Sequence, residues 1–478
     1  WAPEDARYSV VRWFPSTVEN ATGPNVNDPR SGEILESDIY MYHNIMNLQR
    51  TWYFSQVGHL DPRARTWPFP DSLMGRLVEF VVAHEVGHTI GYQHDQKGSS
   101  TYPVDSVRSR TWVKRMGHSP SIMDYSRFNY TAQPEDRIDL EDLIPRIGPW
   151  DIYTTRWGYT PIPSARTPDE EWATLDRWSR EQDATPWYRF NMSDSRGADP
   201  GDHSEAVGDA DPVKATGWGM KSIQQIVPLL ETAAVHQGQD YADLDLLYTR
   251  LIGQWGTELR HVAMMVGGMD AQEKYAGQNG PRYQPWSRAR QQEAVRFLND
   301  NGFATPTYFV LPSLLRKIEV EGALRRVGGA QSGVLNTLWN DRRLERLIEN
   351  EALAATKRDA YSLGEMLADV RGGIWSELSA STVTIDAFRR ELQRSYLTQA
   401  KAKLNPVAPQ LPAGFPAEFL ALLAGARATS DIQSAFRADL KALEGSIRQA
   451  IGRTTDRATR AHLEDALVQV GRTLDPNK

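Results

Sequence analysis

The sequence predicts an α+β protein, with a mixed region of strands and helices first and a long helical region after it. Two β-type segments lie near the start, at residues 7–14 and 32–42, separated by a loop rich in Pro, Asn and Gly. From about Trp218 onward the apolar residues recur at helical spacing, without a clean repeat period. The change of pattern predicts three parts: residues 1–165, a linker at 166–217 with a short helix and an acidic loop, and a mainly helical domain at 218–478.

Composition narrows the classes of function. The 478 residues carry a formal net charge of -7 and a pI near 5.9, so no broad basic surface for nucleic acid is evident. Because there is no cysteine, the available metal ligands are His, Asp and Glu. The longest apolar stretches, at 77–83 and 308–315, fall far short of the ~20 residues that span a bilayer. The chain begins at Trp1, so we expect a processed or N-terminally truncated protein.

A helix is predicted between a polar N-cap at residues 71–72 and a stop at Gly91. Its apolar residues recur at helical spacing and lead into a pair of histidines. His84 and His88 stand at positions i and i+4 on one face, so both imidazoles can reach the same ion. Glu85 neighbours that face, where its carboxylate could serve as a general base. After the helix, residues 92–120 are predicted to be irregular.

The third metal ligand is predicted at His94. It lies six positions after His88, so on a straight helix its side chain would point elsewhere. Gly91 supplies the backbone freedom that lets the chain turn and bring His94 back to the ion. A catalytic zinc ion has three protein ligands and an open position for water, which predicts one Zn²⁺ held by His84, His88 and His94. A solvated helix face would explain a bare His-Glu-x-x-His, but the added Gly and His argue against it.

Residues 121–125, Ser-Ile-Met-Asp-Tyr, follow the last histidine by about thirty positions. The sequence here resembles the metzincin clan of zinc peptidases, since residues 84–95 match its extended motif HExxHxxGxxHD and residues 121–125 look like its Met-turn. More narrowly, the chain is similar to a bacterial family of zinc-dependent metalloproteases of Met-zincin type. Residues 28–35 and 157–159 also look like that family. The close resemblance covers about residues 1–160, and a weaker one covers the acidic loop and the helical remainder.

The resemblance implies further features of the predicted site. It implies a metzincin-like catalytic domain, in which a twisted mixed sheet accompanies the active-site helix. Met123 would lie beneath the zinc as a hydrophobic base and not as a ligand, or be ordinary core. Tyr125 would approach the metal and assist catalysis, or merely pack. The Gly23–Glu33 region would bind an extended substrate as an added strand. Members of the family look like secreted or periplasmic bacterial proteins, so export is expected.

The predicted function is hydrolysis of peptide bonds inside protein or peptide substrates, with Glu85 as general base for a metal-activated water. One alternative is a helical binding or scaffolding protein with a structural zinc site, although such a site needs no general base beside its ligands. Another is a metal-dependent exopeptidase. The sequence decides neither the substrate preference, the oligomeric state nor the role of the helical domain.

The remaining histidines and the acidic loop are predicted to have structural or solvent-exposed roles. His118, close to the Met-turn, is predicted not to be a fourth ligand, because it would occupy the position of the water. The remaining histidines have no ligand spacing and are expected to be structural; they are His43, His59, His203, His236, His261 and His462. The acidic loop at 191–212 could bind Ca²⁺, but a solvated linker fits its pattern better.

Overall fold

The computed structural model describes residues 4–191, 206–208, 210–405 and 430–475. The chain divides into two compact units. The first comprises Trp1–His261 and Ala271–Tyr283, and the second comprises Val262–Asp270 and Gln284–Lys478. Helices and small sheets occur together in the described residues, which confirms the α+β class. The three-part division at residues 165 and 217 stays a prediction.

A three-stranded mixed sheet lies at the start of the first unit. Its strands are β1 (Val11–Phe14), β2 (Ala21–Thr22) and β5 (Ile39–Tyr42), in the order β1-β5-β2. Strand β1 runs parallel to β5 and β2 runs antiparallel to it. A separate antiparallel pair is formed by β3 (Asn25–Asn27) and β4 (Ile34–Ser37). Strands therefore lie in both predicted β-type segments, and two short ones lie in the loop between them.

The helices of the first unit follow the sheet, and the last of them, α9, extends two residues past residue 261. They are α1 (Ile45–Val57), α2 (Asp71–Thr89), α3 (Val104–Val107), α4 (Arg110–Met116), α5 (Pro149–Tyr159), α6 (Pro168–Ser179), α7 (Pro212–Ile226), α8 (Leu230–Ala234) and α9 (Ala242–Ala263). Short 3-10 helices lie at Pro62–Arg65, Gln96–Ser100, Pro134–Asp136, Leu140–Leu143, Arg180–Asp183, Pro186–Tyr188 and Val227–Leu229.

Helix α2 is the predicted active-site helix, and it begins at Asp71 with Pro70 as its N-cap. Its residues Leu73 and Leu77 are fully buried in a core that also contains Met41 of β5 and Tyr53 of α1. Each fully buried side chain of this size contributes about 1.5–3 kcal/mol, so α2 is held firmly between the sheet and α1.

The prediction that residues 92–120 are irregular is wrong in part. Helix α4 forms within this stretch because the Ser109 side chain caps it, accepting a hydrogen bond from the Trp112 backbone N–H. Val113 on its inner face is fully buried. The helix has only 7 residues, too few for a hydrophobic period to be recognised in the sequence.

The second unit contains eight α-helices among its described residues. They are α10 (Arg288–Phe297), α11 (Pro312–Ile318), α12 (Ala323–Leu338), α13 (Asp341–Leu353), α14 (Leu363–Ile374), α15 (Ala387–Leu404), α16 (Ser430–Ile451) and α17 (Arg457–Leu474). Shorter turns of helix lie at Leu298–Gly302, Thr307–Phe309 and Ser376–Ser379. Two further strands, β6 (Met269–Ala271) and β7 (Tyr283–Pro285), pair with each other.

Aromatic side chains form the centre of the second unit. The Trp339 ring lies 4.8 Å from the Tyr396 ring and 4.9 Å from the Phe436 ring, in edge-to-face geometry that aromatic pairs favour. All three are buried. Across the described part of the chain, no helix is long and apolar enough to span a membrane.

Candidate metal centre and active site

Three histidine side chains converge at the end of α2. His84 and His88 lie one helical turn apart, and His94 approaches them from the segment after the helix. The His94 Nε2 atom lies 3.3 Å from His84 Nε2 and 3.0 Å from His88 Nε2. This is the group of side chains that could hold a metal ion among the described residues. The structure thus brings together the three predicted ligands.

The turn that returns His94 is made at Gly91, as predicted. Helix α2 ends at Thr89, and Gly91 has a φ of +90°, a conformation that favours glycine. The Gly91 N–H donates to the His88 carbonyl and the Tyr92 N–H donates to the Gly87 carbonyl, both at 3.0 Å. A side chain at Gly91 would have space, since its Cβ would lie 3.6 Å from Ile34. The backbone conformation is therefore what requires glycine.

Hydrogen bonds to backbone carbonyls fix the tautomers of two ligands. His84 Nδ1 lies 2.7 Å from the Ile122 carbonyl oxygen, and His88 Nδ1 lies 2.8 Å from that of Tyr92. A carbonyl oxygen only accepts, so each Nδ1 carries the proton and each Nε2 presents a lone pair. Such bonds orient metal-binding imidazoles in proteins.

The nitrogen geometry fits zinc. Nitrogen atoms bound at about 2.0–2.1 Å around a tetrahedral zinc ion lie about 3.3 Å apart, close to the separations of His94 Nε2 from His84 Nε2 and His88 Nε2. Lone pairs that face one another repel unless a cation lies between them. Burial lowers the pKa of His84 to about 3 and that of His94 to about 4, so both stay neutral and able to bind.

Glu85 lies beside the triad and is buried, with 6% of its surface exposed. Its carboxylate accepts a hydrogen bond from the Gly23 backbone N–H, next to β2. Burial raises the pKa of Glu85 to about 7, while the Arg127 charge opposes that rise. His84, Glu85 and Arg127 line one pocket of about 50 Å³. A carboxyl group with a pKa near neutrality suits proton transfer.

Gly23 is a site residue that sequence reasoning did not single out. A Cβ at this position would lie 2.5 Å from the Glu85 carbonyl oxygen, so only glycine allows this approach. Asn25, two residues further on, donates from Nδ2 to the His88 carbonyl at 3.1 Å. The start of the predicted substrate-binding region, Gly23–Glu33, therefore lies against the end of α2.

Met123 packs beneath the histidine helix. It is fully buried, and a Cβ added at Gly87, between Glu85 and His88, would overlap its sulfur atom. The Met123 carbonyl accepts from the Asp95 N–H at 3.2 Å, which ties the segment to the residue after His94. Sequence reasoning missed the role of Gly87, although a glycine inside a helix was a usable signal.

The Tyr125 ring lies against two of the ligands. Its centroid is 4.2 Å from that of His94 and 5.3 Å from that of His84, nearly parallel to the latter. Burial raises the pKa of the Tyr125 hydroxyl, and the nearby Arg127 charge offsets only part of that rise. The structure therefore places Tyr125 at the metal centre.

Three carboxylates form hydrogen bonds with the segments that surround the histidine triad. Asp124 accepts from the hydroxyls of Ser99 at 2.8 Å and Ser119 at 2.6 Å. Asp151 accepts from the Ser121 hydroxyl at 2.7 Å and from the N–H groups of Ile122 and Gly148. Asp95, fully buried, accepts weakly from the Asn191 N–H at 3.4 Å. Burial raises the pKa of Asp124 to about 7 and that of Asp151 to about 6.

The other histidines lie outside the metal group of the described residues. His118 is buried and its Nε2 donates to the Arg127 carbonyl at 2.9 Å. His462 Nε2 lies 2.8 Å from Gln393 Oε1. His203 and most of the acidic loop lie outside the described residues, so the calcium expectation stays untested there. At the end of that loop, Asp211 caps α7 by accepting from the Lys214 N–H.

Comparison with known proteins agrees with the geometry. A family model described as Met-zincin matches residues 66–382, well over half of the chain, including the histidine triad and the Met123 segment. None of the curated proteins and none of the solved structures in the comparisons matches the chain. The family match indicates a zinc-dependent metalloprotease that acts on proteins or peptides. The chain belongs to the Met-zincin family.

Proposed function

We propose that this protein is a zinc-dependent endopeptidase in which Glu85 is the general base and Tyr125 assists at the developing oxyanion. The observation that carries the proposal is a buried carboxyl group beside three histidine Nε2 atoms that converge on one point. Neither a structural zinc site nor a solvated helix face requires a carboxyl group there.

Each residue has a distinct part in this reaction. Zinc held by His84, His88 and His94 would supply a Lewis acid that lowers the pKa of a water molecule to about 7 and polarises the scissile carbonyl. Glu85 takes the proton of the attacking water and later delivers it to the leaving amine. The Tyr125 hydroxyl donates a hydrogen bond to the oxygen on which negative charge develops.

An extended substrate would lie beside the Gly23–Glu33 region. Within it, β3 pairs with β4 on one side, and all three residues of β3 are exposed. Backbone hydrogen bonds along such a strand hold an extended chain whatever its side chains are. Binding of this kind needs no chain terminus, which favours internal cleavage over the removal of terminal residues.

The decisive variant is Glu85→Gln, which keeps the shape of the side chain and removes the base. We expect zinc content to stay at one ion per chain while cleavage of a casein-derived peptide falls by about 10²–10⁴-fold. The matched control is Glu79→Gln on the same helix, since the Glu79 side chain is 65% exposed. A zinc-loaded Glu85→Gln protein that cleaves at the wild-type rate would refute the general-base role.

The products separate the alternative functions. Mass spectrometry of an unblocked peptide and of one blocked at both ends should show the same internal cuts, all abolished by a chelator. Release of single terminal residues from the unblocked peptide alone would indicate an exopeptidase. Zinc binding without any cleavage would indicate the scaffolding alternative with a structural site.

We also propose, on family resemblance alone, that the protein is exported from the bacterial cell. Fractionation of cells that make the full-length protein should place it in the periplasm or the medium. Recovery in the cytoplasm alone would contradict export.

A further inference from the structure

Four planar groups in contact form a column that ends at the metal centre. The Arg127 guanidinium carbon lies 4.0 Å from the Trp52 ring centroid and 4.1 Å from that of Tyr125. The Tyr125 ring in turn lies 4.2 Å from the His94 imidazole, with the two ring planes tilted by 51°. Arginine stacks well on aromatic faces because its guanidinium is planar and weakly hydrated. Arg127 therefore fills the space between the Trp52 and Tyr125 rings and limits the movement of Tyr125.

The backbone of Arg127 is held in an unusual conformation. Its φ is +59°, and Arg137 is the only other non-glycine residue with a positive φ in the described part of the chain. An L-residue in this region is disfavoured by about 1–2 kcal/mol, so the surroundings must impose it.

Two buried side chains impose this conformation from both sides. His118 donates to the Arg127 carbonyl at 2.9 Å, and Gln56 accepts from the following N–H, that of Phe128, at 3.0 Å. Both are almost fully buried, with exposures of 2% and 1%. The main chain is thus fixed where it directs the guanidinium between the two rings.

We propose that Arg127 is a positioning residue for Tyr125, holding its ring against His94 and His84 so that the hydroxyl stays aimed at the reacting carbonyl. This inference rests on the proposed peptidase function. A hydrogen-bond donor acts on a transition state only within a narrow range of distance and angle, about 0.5 Å and 10–20°. Without the guanidinium, the ring would have room to rotate towards Trp52.

The column also places a positive charge beside the general base. Arg127 and Glu85 line the same pocket, and the arginine charge favours the ionised form of that carboxyl group. The two effects differ in how they depend on Tyr125. Positioning acts through the tyrosine hydroxyl, whereas the charge acts on Glu85 whether that hydroxyl is present or not.

The test compares Arg127→Met and Arg127→Lys with Arg137→Met as matched control. Arg137 is exposed and shares the positive φ, so its replacement repeats the backbone effect without touching the site. We expect Arg127→Met to lower kcat about tenfold with KM changed less than about twofold, and zinc content to be unchanged. Arg127→Lys should recover little of kcat, because it restores the charge without the planar group.

A double-mutant cycle with Tyr125→Phe identifies the route of the effect. If Arg127 works through the hydroxyl, Arg127→Met should change kcat by less than about twofold in the Tyr125→Phe background. Equal tenfold losses in both backgrounds would overturn positioning and leave the charge on Glu85 as the cause. An unchanged kcat in Arg127→Met would also overturn it.

A second measurement needs no activity. In metal-free protein with ¹³Cζ-labelled tyrosine, the Tyr125 resonance, identified by its loss in Tyr125→Phe, should shift and broaden in Arg127→Met. It should stay unchanged in Arg137→Met. An unmoved Tyr125 resonance in folded Arg127→Met would contradict the inference even if the wild-type protein cleaves peptides. A moved resonance in a protein that cleaves nothing would support positioning and refute the peptidase function.

Discussion

Carboxyl groups are buried both beside the histidine triad of the first unit and in the helical unit, but their partners differ. In the first unit, Asp124 and Asp151 accept from serine hydroxyls and backbone N–H groups. In the second unit, buried Asp439 accepts from Arg371 at 2.8 Å and half-buried Glu377 accepts from Arg389 at 2.6 Å. The acids beside the histidine triad are held by neutral donors, and those of the second unit by cations. Away from the triad, the first unit also buries an acid beside a cation, since Asp61 pairs with Arg63 at 2.8 Å.

The difference has an energetic consequence. A buried acid without a cation loses hydration that neutral donors replace only in part, so its pKa rises and the protonated form is favoured in the folded state. Asp124 and Asp151 both show this rise. Even Asp439 has a raised pKa because its burial outweighs the Arg371 charge. The first unit therefore carries acids that destabilise it as pH rises, a cost that functional sites often retain.

The largest test of this contrast is Glu258→Gln in α9 of the first unit. Glu258 is fully buried, accepts from Gln254 at 2.8 Å, and its Oε2 has no hydrogen-bond partner among the described residues. Burial raises its pKa from 4.5 to about 8. Between these values the folded state binds more protons than the unfolded state, so stability falls as pH rises. A neutral glutamine removes that loss.

We expect Glu258→Gln to raise the unfolding free energy by under about 1 kcal/mol at pH 5 and by about 2–4 kcal/mol at pH 8. Hydrogen exchange of α9 amides in both proteins, at both pH values, measures the gain. Glu33→Gln is the control, because Glu33 is exposed. A gain that is equal at the two pH values, or a loss at pH 8, would show that this acid is not kept protonated by burial.

The second test is Asp439→Asn in α16, where the opposite sign is expected. Asp439 joins Arg371 and the Tyr396 hydroxyl, and a neutral amide leaves the guanidinium without its carboxylate. Breaking such a partly buried pair should cost about 1–3 kcal/mol, read from hydrogen exchange of α14 and α16 amides. Asp431→Asn, at an exposed position of the same helix, should cost under about 0.5 kcal/mol. If Asp439→Asn stabilised the unit, the contrast between the two sets of acids would fail.

Local sequence pattern was enough to predict the three histidines that the structure brings together. His84 and His88 follow from helical spacing, and His94 follows from the positive φ that Gly91 allows, which the structure has at +90°. Each inference uses residues within one or two turns of one another, where backbone geometry alone fixes the neighbours. Fold class was predictable for the same reason, since strand and helix periods are local.

The rest of the site depends on contacts between distant parts of the chain. Gly23 meets Glu85, Met123 meets Gly87, and Arg127 enters the site only because Gln56 and Trp52 of α1 receive it. Tertiary packing sets such pairs, and no short-range period encodes them. The family resemblance pointed to Met123, Tyr125 and the Gly23–Glu33 region, but neither it nor the local pattern singled out Arg127 or Asp151.

The smallest test removes one neutral donor from an acid at the site. Ser99→Ala deletes a hydroxyl that donates to the two carboxylate oxygens of Asp124 at 2.8 and 2.9 Å. Ser119 then remains as a hydroxyl donor to Asp124. Because the pKa of Asp124 is about 7, the carboxyl group is ionised in the folded state at pH 8 and protonated at pH 5. A hydrogen bond to an ionised acceptor is about twice as strong as a neutral one.

Ser99→Ala should therefore lower the unfolding free energy by about 1–2 kcal/mol at pH 8 and by about half as much at pH 5. Hydrogen exchange of the α2 amides, measured at increasing urea concentrations, gives this free energy. Ser100→Ala is the control, since the Ser100 hydroxyl donates to the backbone carbonyl of Lys97 at 3.0 Å. A backbone carbonyl does not titrate, so this hydrogen bond does not change with pH. The cost of Ser100→Ala should be the same at both pH values. If the Ser99 cost were also independent of pH, Asp124 would not be titrating in this range, and the first unit would hold this acid as firmly as the second unit holds Asp439.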